Sequence, residues 1–324
     1  MPYSVLTPVK RRRRRRRGRV FALLVMALGL AALAYAGSRH FRTHPAPAAA
    51  APPPAAPTPT HALKPPAQPA LLKATSLLLE GRPVVTARSA ILVDAATGAV
   101  LWQKHPHAPR PIASTTKIMT GTLVLERLPL GHVVKIAPGV PRTPLVREGL
   151  RTGERVPVWK LLDGLLIFSG NDDALALAVA AAGARPKFLE LMNAKARALG
   201  LRDTHFTSVS GVIDEGNYSS AWDLAGLARY AMRDPRFRKI VGTKIARVPW
   251  SAPTGGKVYV NKNGLLGTYR GADGVKTGWT TIAGHCLVAS AQRGDRRLIA
   301  VLLHSSNPYR DARRLLTMGF ALRR

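Results

Sequence analysis

The distribution of apolar and polar positions divides the chain into short elements. Residues 89–103 (SAILVDAATGAVLWQ) read as two short strands around a turn at Ala95-Ala96-Thr97-Gly98. Residues 114–128 form a largely apolar run that predicts a buried helix, stopped by Pro129. A second apolar helix is expected over 158–167, broken at Ser169-Gly170-Asn171, with a third starting at Asp172 and reaching Ala182. The amphipathic stretch 185–199 runs up to Gly200, a natural residue just past a helix end. Ser220-Ala221-Trp222-Asp223 has the form of a capping box and opens a further helix, with Pro235 after it. Residues 274–278, 284–291 and 298–304 predict strands, and 311–320 a closing helix. Strands at both ends around a mostly helical middle imply an α/β domain. Its sheet is built from the two ends, and a helical lobe is inserted between them.

The first 84 residues do not fit this scheme. No acidic residue precedes Glu80, whereas 13 of the 49 Lys and Arg do. Such a leader buries too little apolar surface to offset the entropy of ordering. Within it, residues 20–36 (VFALLVMALGLAALAYA) are uncharged and follow Arg11 to Arg17 and Arg19. As a helix this run is about 26 Å long, enough to cross a bilayer core. The arginines hold the N-terminus in the cytoplasm, so the remainder is exported. The reading is a basic cytoplasmic tail (1–19), a transmembrane signal-anchor (20–36) and a Pro/Ala-rich linker (37–84). The domain follows at 85–324. A signal peptide cleaved after Ala36 has the same layout, since Ala34-Tyr35-Ala36 fits an A-x-A site. Ten prolines in 45–69 make that stretch semi-rigid, with a reach of up to ~75 Å. It serves either as a spacer or as a tolerated low-complexity linker.

From Glu80 onward the chain keeps 36 basic against 17 acidic residues, within a formal net charge of +32 for the whole. That surplus draws the domain toward polyanions. Scattered aromatic residues supply no stacking platform, so no specific nucleic-acid binding is expected. The single cysteine, Cys286, sits in an apolar run and reads as a buried structural thiol.

Three polar motifs interrupt the apolar elements. In Ser114-Thr115-Thr116-Lys117, a helical spacing of three puts the Lys117 amine within reach of the Ser114 hydroxyl. Serine needs such a base to become a nucleophile, and lysine serves only if its pKa is pulled down. Ser169-Gly170-Asn171 places a hydroxyl and an amide between two apolar helices, where they can relay a proton and hold a substrate amide. Lys276-Thr277-Gly278, on an expected strand, puts Lys276 and Gly278 on one face. Lys276 supplies a fixed cation for a carboxylate, and Gly278 lets a substrate backbone approach. Each motif alone has an ordinary structural explanation: an N-cap, a loop, a strand end.

Together, in this order and 55 and 107 residues apart, they correspond to the S-x-x-K, S-D-N and K-T-G set of penicillin-interacting enzymes, with S-G-N here as the middle motif. The chain resembles the serine-type D-Ala-D-Ala carboxypeptidases, the low-molecular-mass penicillin-binding proteins, from about Ala87 to Phe320. The stretches 90–98, 165–174, 218–225 and 271–279 carry the likeness besides the motifs. The resemblance implies a β-lactamase/transpeptidase-like sandwich with an antiparallel sheet. It implies catalysis by Ser114 as nucleophile, Lys117 as base and Ser169 as proton shuttle. Asn171, Lys276, Thr277, Gly278 and Trp279 would bind substrate, with the backbone N–H groups of Ser114 and Trp279 as oxyanion hole. Peptidoglycan stem peptides and β-lactam antibiotics are the implied partners, and no metal or organic cofactor is required. Many members continue into a β-rich domain with an amphipathic anchor; here the N-terminal helix is expected to replace that anchor.

Other readings use the same residues differently. A D,D-endopeptidase would keep the whole set. A class A β-lactamase needs a Glu for deacylation, yet about 36 residues past Ser169 the chain reads Arg202-Asp-Thr-His-Phe206. Asp214 and Glu215 sit in a Gly-flanked turn. A catalytically inactive polyanion binder rests on charge alone. A Ser-His-Asp arrangement could draw on Asp203 and His205, but no G-x-S-x-G elbow supplies the serine. His304 is expected to be a satisfied strand-end residue.

Overall fold

The computed structural model describes residue 72 and residues 83–212, 216–250 and 255–322. All of them fall in Pro59–Arg324, the second of two units of the chain. The basic tail, the apolar segment 20–36, nearly all of the linker, and Asp214–Glu215 lie outside the described residues. Among the described residues no helix is long and apolar enough to cross a membrane.

β1 (Ser89–Asp94) and β2 (Val100–Lys104) form the expected hairpin. Asp94 closes its turn by accepting from the amides of Ala96 and Thr97. A short β3 (Arg110–Pro111) leads into a 3-10 turn, Ala113–Thr116, continued by α1 (Lys117–Arg127). The hairpin of β4 (Val133–Lys135) and β5 (Arg155–Pro157) precedes α2 (Val158–Asp163). A π-helical turn, Gly164–Phe168, ends α2 and delivers the chain to α3 (Asn171–Ala182) and α4 (Arg185–Ala198). β6 (Tyr218–Ser219) pairs with β3, and α5 (Ala221–Ala231) opens with Ser220 Oγ accepting from Asp223 N. The cap expected there is present.

Pro235 does more than follow that helix. It starts α6 (Pro235–Gly242), which the hydrophobic pattern did not suggest. Proline suits a first helical position because its missing N–H has no intrahelical partner there, and Asp234 supplies the cap. β7 (Ile245–Val248) and β8 (Lys257–Val260) form a second unforeseen hairpin. Strands of two to four residues are too short to show a period, so these small ladders escaped the sequence reading.

The long elements come last: β9 (Ala272–Thr280), β10 (Gly284–Arg293), β11 (Arg296–Ser305) and α7 (Pro308–Ala321). The main sheet has the order β2-β1-β11-β10-β9, with every pair antiparallel. The two ends of the domain therefore meet at β1 and β11, as expected. Alternation along β11 divides the core in two. Ile299, Val301 and Leu303 pack toward the helical lobe, whereas Leu298, Ala300 and Leu302 pack with Ala312, Leu315 and Leu316 of α7. α7 is tied to the start of the domain by Asp311, whose carboxylate accepts from Thr86 and Ala87 N and from the Thr86 and Ser305 hydroxyls.

Candidate active site

The polar motifs meet on the lobe side of the sheet. Ile112 and Ala113 are buried and fix the 3-10 turn that presents Ser114. Ala113 holds φ +47°, a left-handed conformation unusual for a residue with a side chain. One turn later, Lys117 is fully buried. Its Nζ lies 2.9 Å from Ser114 Oγ, 2.8 Å from Asn171 Oδ1 and 3.2 Å from the carbonyl of Ser210. Three acceptors suit an ammonium. A neutral amine would donate to Asn171 and Ser210 and turn its lone pair to the Ser114 hydroxyl. The lysine is held well below its ordinary 10.5, first by burial and then by the charge of Lys276, with Lys262 adding to the effect. Asp173 and Asp172 oppose this shift but do not reverse it.

Ser169 closes the π-helical turn at φ +75°, a second left-handed residue that carries a side chain. Its hydroxyl lies 3.0 Å from Lys276 Nζ. The Asn171 Oδ1 accepts from Lys117 Nζ and its Nδ2 donates to the carbonyl of Pro144 at 3.1 Å. The amide is thus tied at both ends by the protein, and it orients the lysine. Sequence separation hid this, because Pro144 belongs to the loop after β4.

Lys276 and Gly278 pair with Val288 and Cys286 on the lobe-facing side of β10, so the predicted alternation holds. Lys276 is buried and also donates to the carbonyl of Thr277. Burial, with Lys262 nearby, lowers its amine to about 7. Thr277 is half-buried between them. Gly278 has a packing reason as well: a Cβ there would lie 2.9 Å from Ser114 N and 3.0 Å from Ala113 Cβ and Ile112 O. The glycine admits the nucleophile's own turn against the strand. Trp279, next in line, is 60% exposed, with its ring 6.2 Å from that of His285.

Several contributors carried no sequence signal. Gly211, at φ +77°, presses against the nucleophile turn so closely that a Cβ would meet Ala113 O, and Ser210 beside it supplies the third acceptor for Lys117. Asn217 donates to Thr116 Oγ1. Asp172 accepts from the amides of Glu148, Gly149 and Leu150, anchoring that loop over α3. These contacts join segments up to 101 residues apart. The adjacent pairs of a Ser-His-Asp set do not form: Asp203 bonds His107 Nδ1 at 3.0 Å, and the backbone of His205 pairs with Tyr218. His304 ends β11 at φ +53°, with its ring against Gly284. Cys286 is buried and its thiol is pushed up to about 11, which fits an inert structural role. Among the described residues no group of three or more His, Cys, Asp or Glu could hold a metal ion.

A serine hydroxyl, a buried amine of lowered basicity and a second Ser–Lys pair within one cluster make a site suited to acyl transfer. Comparison with known proteins agrees with that chemistry. The profile of the D-alanyl-D-alanine carboxypeptidase family matches residues 78–307. The D-alanyl-D-alanine carboxypeptidase DacF of Bacillus subtilis is 38% identical over 228 residues, which cover 68% of this chain and 58% of that protein. The D-alanyl-D-alanine carboxypeptidase of Streptomyces sp. K15 is 36% identical over 270 residues, covering 78% and 93%. The crystal structure of the Streptomyces K15 DD-transpeptidase superposes with a TM-score of 0.70 at 36% identity, over 75% of this chain and all of that one. The D-alanyl-D-alanine carboxypeptidase structure from Mycobacterium tuberculosis gives 0.71 at 33% identity, over 75% and 94%. The chain therefore spans nearly the whole Streptomyces protein but under two thirds of the Bacillus one.

Proposed function

The chain belongs to the D-alanyl-D-alanine carboxypeptidase family, and we propose that it removes the terminal D-Ala from peptidoglycan stem peptides through an acyl-enzyme on Ser114. The observation that carries the reading is the 2.9 Å contact from Ser114 Oγ to a Lys117 amine held well below ordinary lysine basicity. Neutral Lys117 takes the Ser114 proton as Oγ attacks the carbonyl between the last two D-alanines. The backbone N–H groups of Ser114 and Trp279 receive the developing oxyanion. Ser169, held by Lys276, relays the proton that Lys117 took to the leaving amine, and D-Ala departs. Lys276 and Thr277 take the terminal carboxylate, and Asn171 both fixes Lys117 and holds the substrate amide. Gly278 makes room for the nucleophile turn. Water hydrolyses the ester, and a β-lactam would acylate the same hydroxyl.

In this reading the apolar segment 20–36 leads the domain across the cytoplasmic membrane, as an anchor or as a cleaved signal peptide. The Pro/Ala-rich linker then carries the domain toward the wall. The related Streptomyces K15 protein is named both carboxypeptidase and DD-transpeptidase. An amine in place of water as acceptor is accordingly the second reading for this acyl-enzyme.

The test is to incubate the full chain with a pentapeptide ending in D-Ala-D-Ala, with cross-linked dimers, and with an added amine acceptor, and to identify products by mass spectrometry. Free D-Ala with a shortened peptide supports the carboxypeptidase. Cleaved dimers point to an endopeptidase, and an amide product to transfer. Absence of all three would overturn acyl transfer at Ser114.

A further inference from the structure

Beneath the Ser169 turn lies a pair of acids that the reaction just described does not use. Asp172 and Asp173 are neighbours in the first turn of α3, but they differ in their partners. The Asp172 carboxylate accepts from backbone amides, as an anion at a helix start should. Asp173 points inward, is fully buried, and neither of its oxygens receives a proton from any donor among the described residues. Two glycines make the slot it occupies. A Cβ on Gly170 would sit 2.0 Å from Asp173 Oδ2, and one on Gly164 would sit 2.5 Å from Oδ1. These glycines flank the π-helical turn that ends in Ser169.

Glu148, whose side chain is 1% exposed, is the charged group that acts most strongly on Asp173, and its amide bonds the neighbouring Asp172. Its Oε1 receives Lys257 Nζ at 3.0 Å and the Tyr259 hydroxyl, both from β8. Its Oε2, like Asp173, has no donor. Two desolvated carboxyl groups facing each other without a donor cannot both carry charge at low cost, and one proton between them supplies the missing hydrogen bond.

We propose that Asp173 and Glu148 share a single proton, and that this neutralised Asp173 positions the Ser169–Asn171 turn while keeping negative charge away from Lys117. The acid that holds the proton is Asp173, which burial and then the Glu148 charge push well above the usual carboxyl range. Other charged and titratable groups face the pair. Asp163 on α2 is itself raised to about 6 by burial and by Glu148. Asp172 is on α3, Lys257 and Tyr259 are on β8, and Lys262, Lys276 and Lys117 lie on the substrate side. An ionised Asp173 would raise the Lys117 pKa and so leave less of the amine neutral near pH 7. A protonated one leaves Lys117 low. Asp173 is thus a positioning residue, acting through Lys117 and the Ser169 turn.

This inference rests on the acyl-enzyme reading, but its first test needs no turnover. Infrared difference spectra of the full chain, labelled with 13C-carboxyl aspartate, should show a protonated carboxylic acid band at neutral pH that disappears in Asp173→Asn. A wild-type spectrum without that band would overturn the proposal, whether or not the enzyme turns over. The second test is the pH dependence of acylation by benzylpenicillin. A neutral amide mimics the protonated acid, so the acid limb, which reports Lys117, should keep its midpoint in Asp173→Asn. If Asp173 were a carboxylate, removing its charge would shift that midpoint down by roughly a unit or more. If Asp173→Asn does not fold, Glu148→Gln substitutes for it: loss of the carboxylate acceptor should remove or displace the acid band, and an unchanged band would overturn the pairing.

Discussion

The two faces of the central sheet use the same strands for opposite ends. On the α7 side, Leu298, Ala300 and Leu302 meet Ala312, Leu315 and Leu316, an apolar layer. On the lobe side, β9 carries the buried Lys276, and Lys117, Ser169 and Asn171 approach it from the helices. Burying an amine costs free energy unless neighbours bond it, and its basicity falls as a result. The α7 face stabilises the domain. The lobe face gives up part of that stability to hold two lysines at lowered pKa. The comparison makes a separable prediction for each face.

The largest effect belongs to Ser114. Ser114→Ala should lower acylation by benzylpenicillin about 10⁴-fold or more while leaving the melting temperature nearly unchanged, since no core contact is lost. Mass spectrometry of the intact protein after incubation with the drug measures this. The opposite pattern should follow on the other face. Leu316→Ala empties part of the α7 layer and should cost about 2–5 kcal/mol in denaturant unfolding, with the acylation rate per folded molecule unaltered. A slowed acylation there would mean that the two faces are coupled.

Gly278→Ala comes next. A Cβ at 2.9 Å from Ser114 N must displace the nucleophile turn, and a shift of about 1 Å is worth on the order of 10²-fold in rate. Stopped-flow acylation would record the loss. Lys276 gives the smallest and most instructive shift. Its amine is lowered to about 7 from 10.5, so between those values the unfolded chain binds more protons and stability should rise with pH. Lys276→Met should reduce that rise, leaving the part that the lowered Lys117 contributes, and stabilise the fold near neutral pH, while substrates with a free carboxylate bind more weakly. Thermal melts across pH 7 to 10.5 test it; a slope as steep in the variant as in the wild type would assign the rise to another group.

The long elements were legible because length makes a period visible. The β1–β2 hairpin, the three C-terminal strands, the capped α5 and the closing helix all stand within a few residues of their expected positions. The motif order located Ser114, Lys117, Ser169 and Lys276, and the fold assembles them. What the sequence concealed depends on contacts between distant segments. Gly278 reads as a glycine on a strand until the nucleophile turn is packed against it. The partners of Asn171 come from the loop after β4 and from α1, and the carbonyl of Ser210 carries no residue signature at all. Asp173 looks like a second helix-start acid beside Asp172 until burial separates their roles.

The contrast between the faces depends on one property, a Lys117 that is neutral when Ser114 needs a base. The direct measurement is the rate of acylation by benzylpenicillin as a function of pH in the full wild-type chain. The rate should rise through an ionisation whose midpoint lies well below 10.5, the ordinary lysine value, because burial and Lys276 hold the amine down. A rate that keeps rising through an ionisation near 10.5 would contradict Lys117 as the base that activates Ser114.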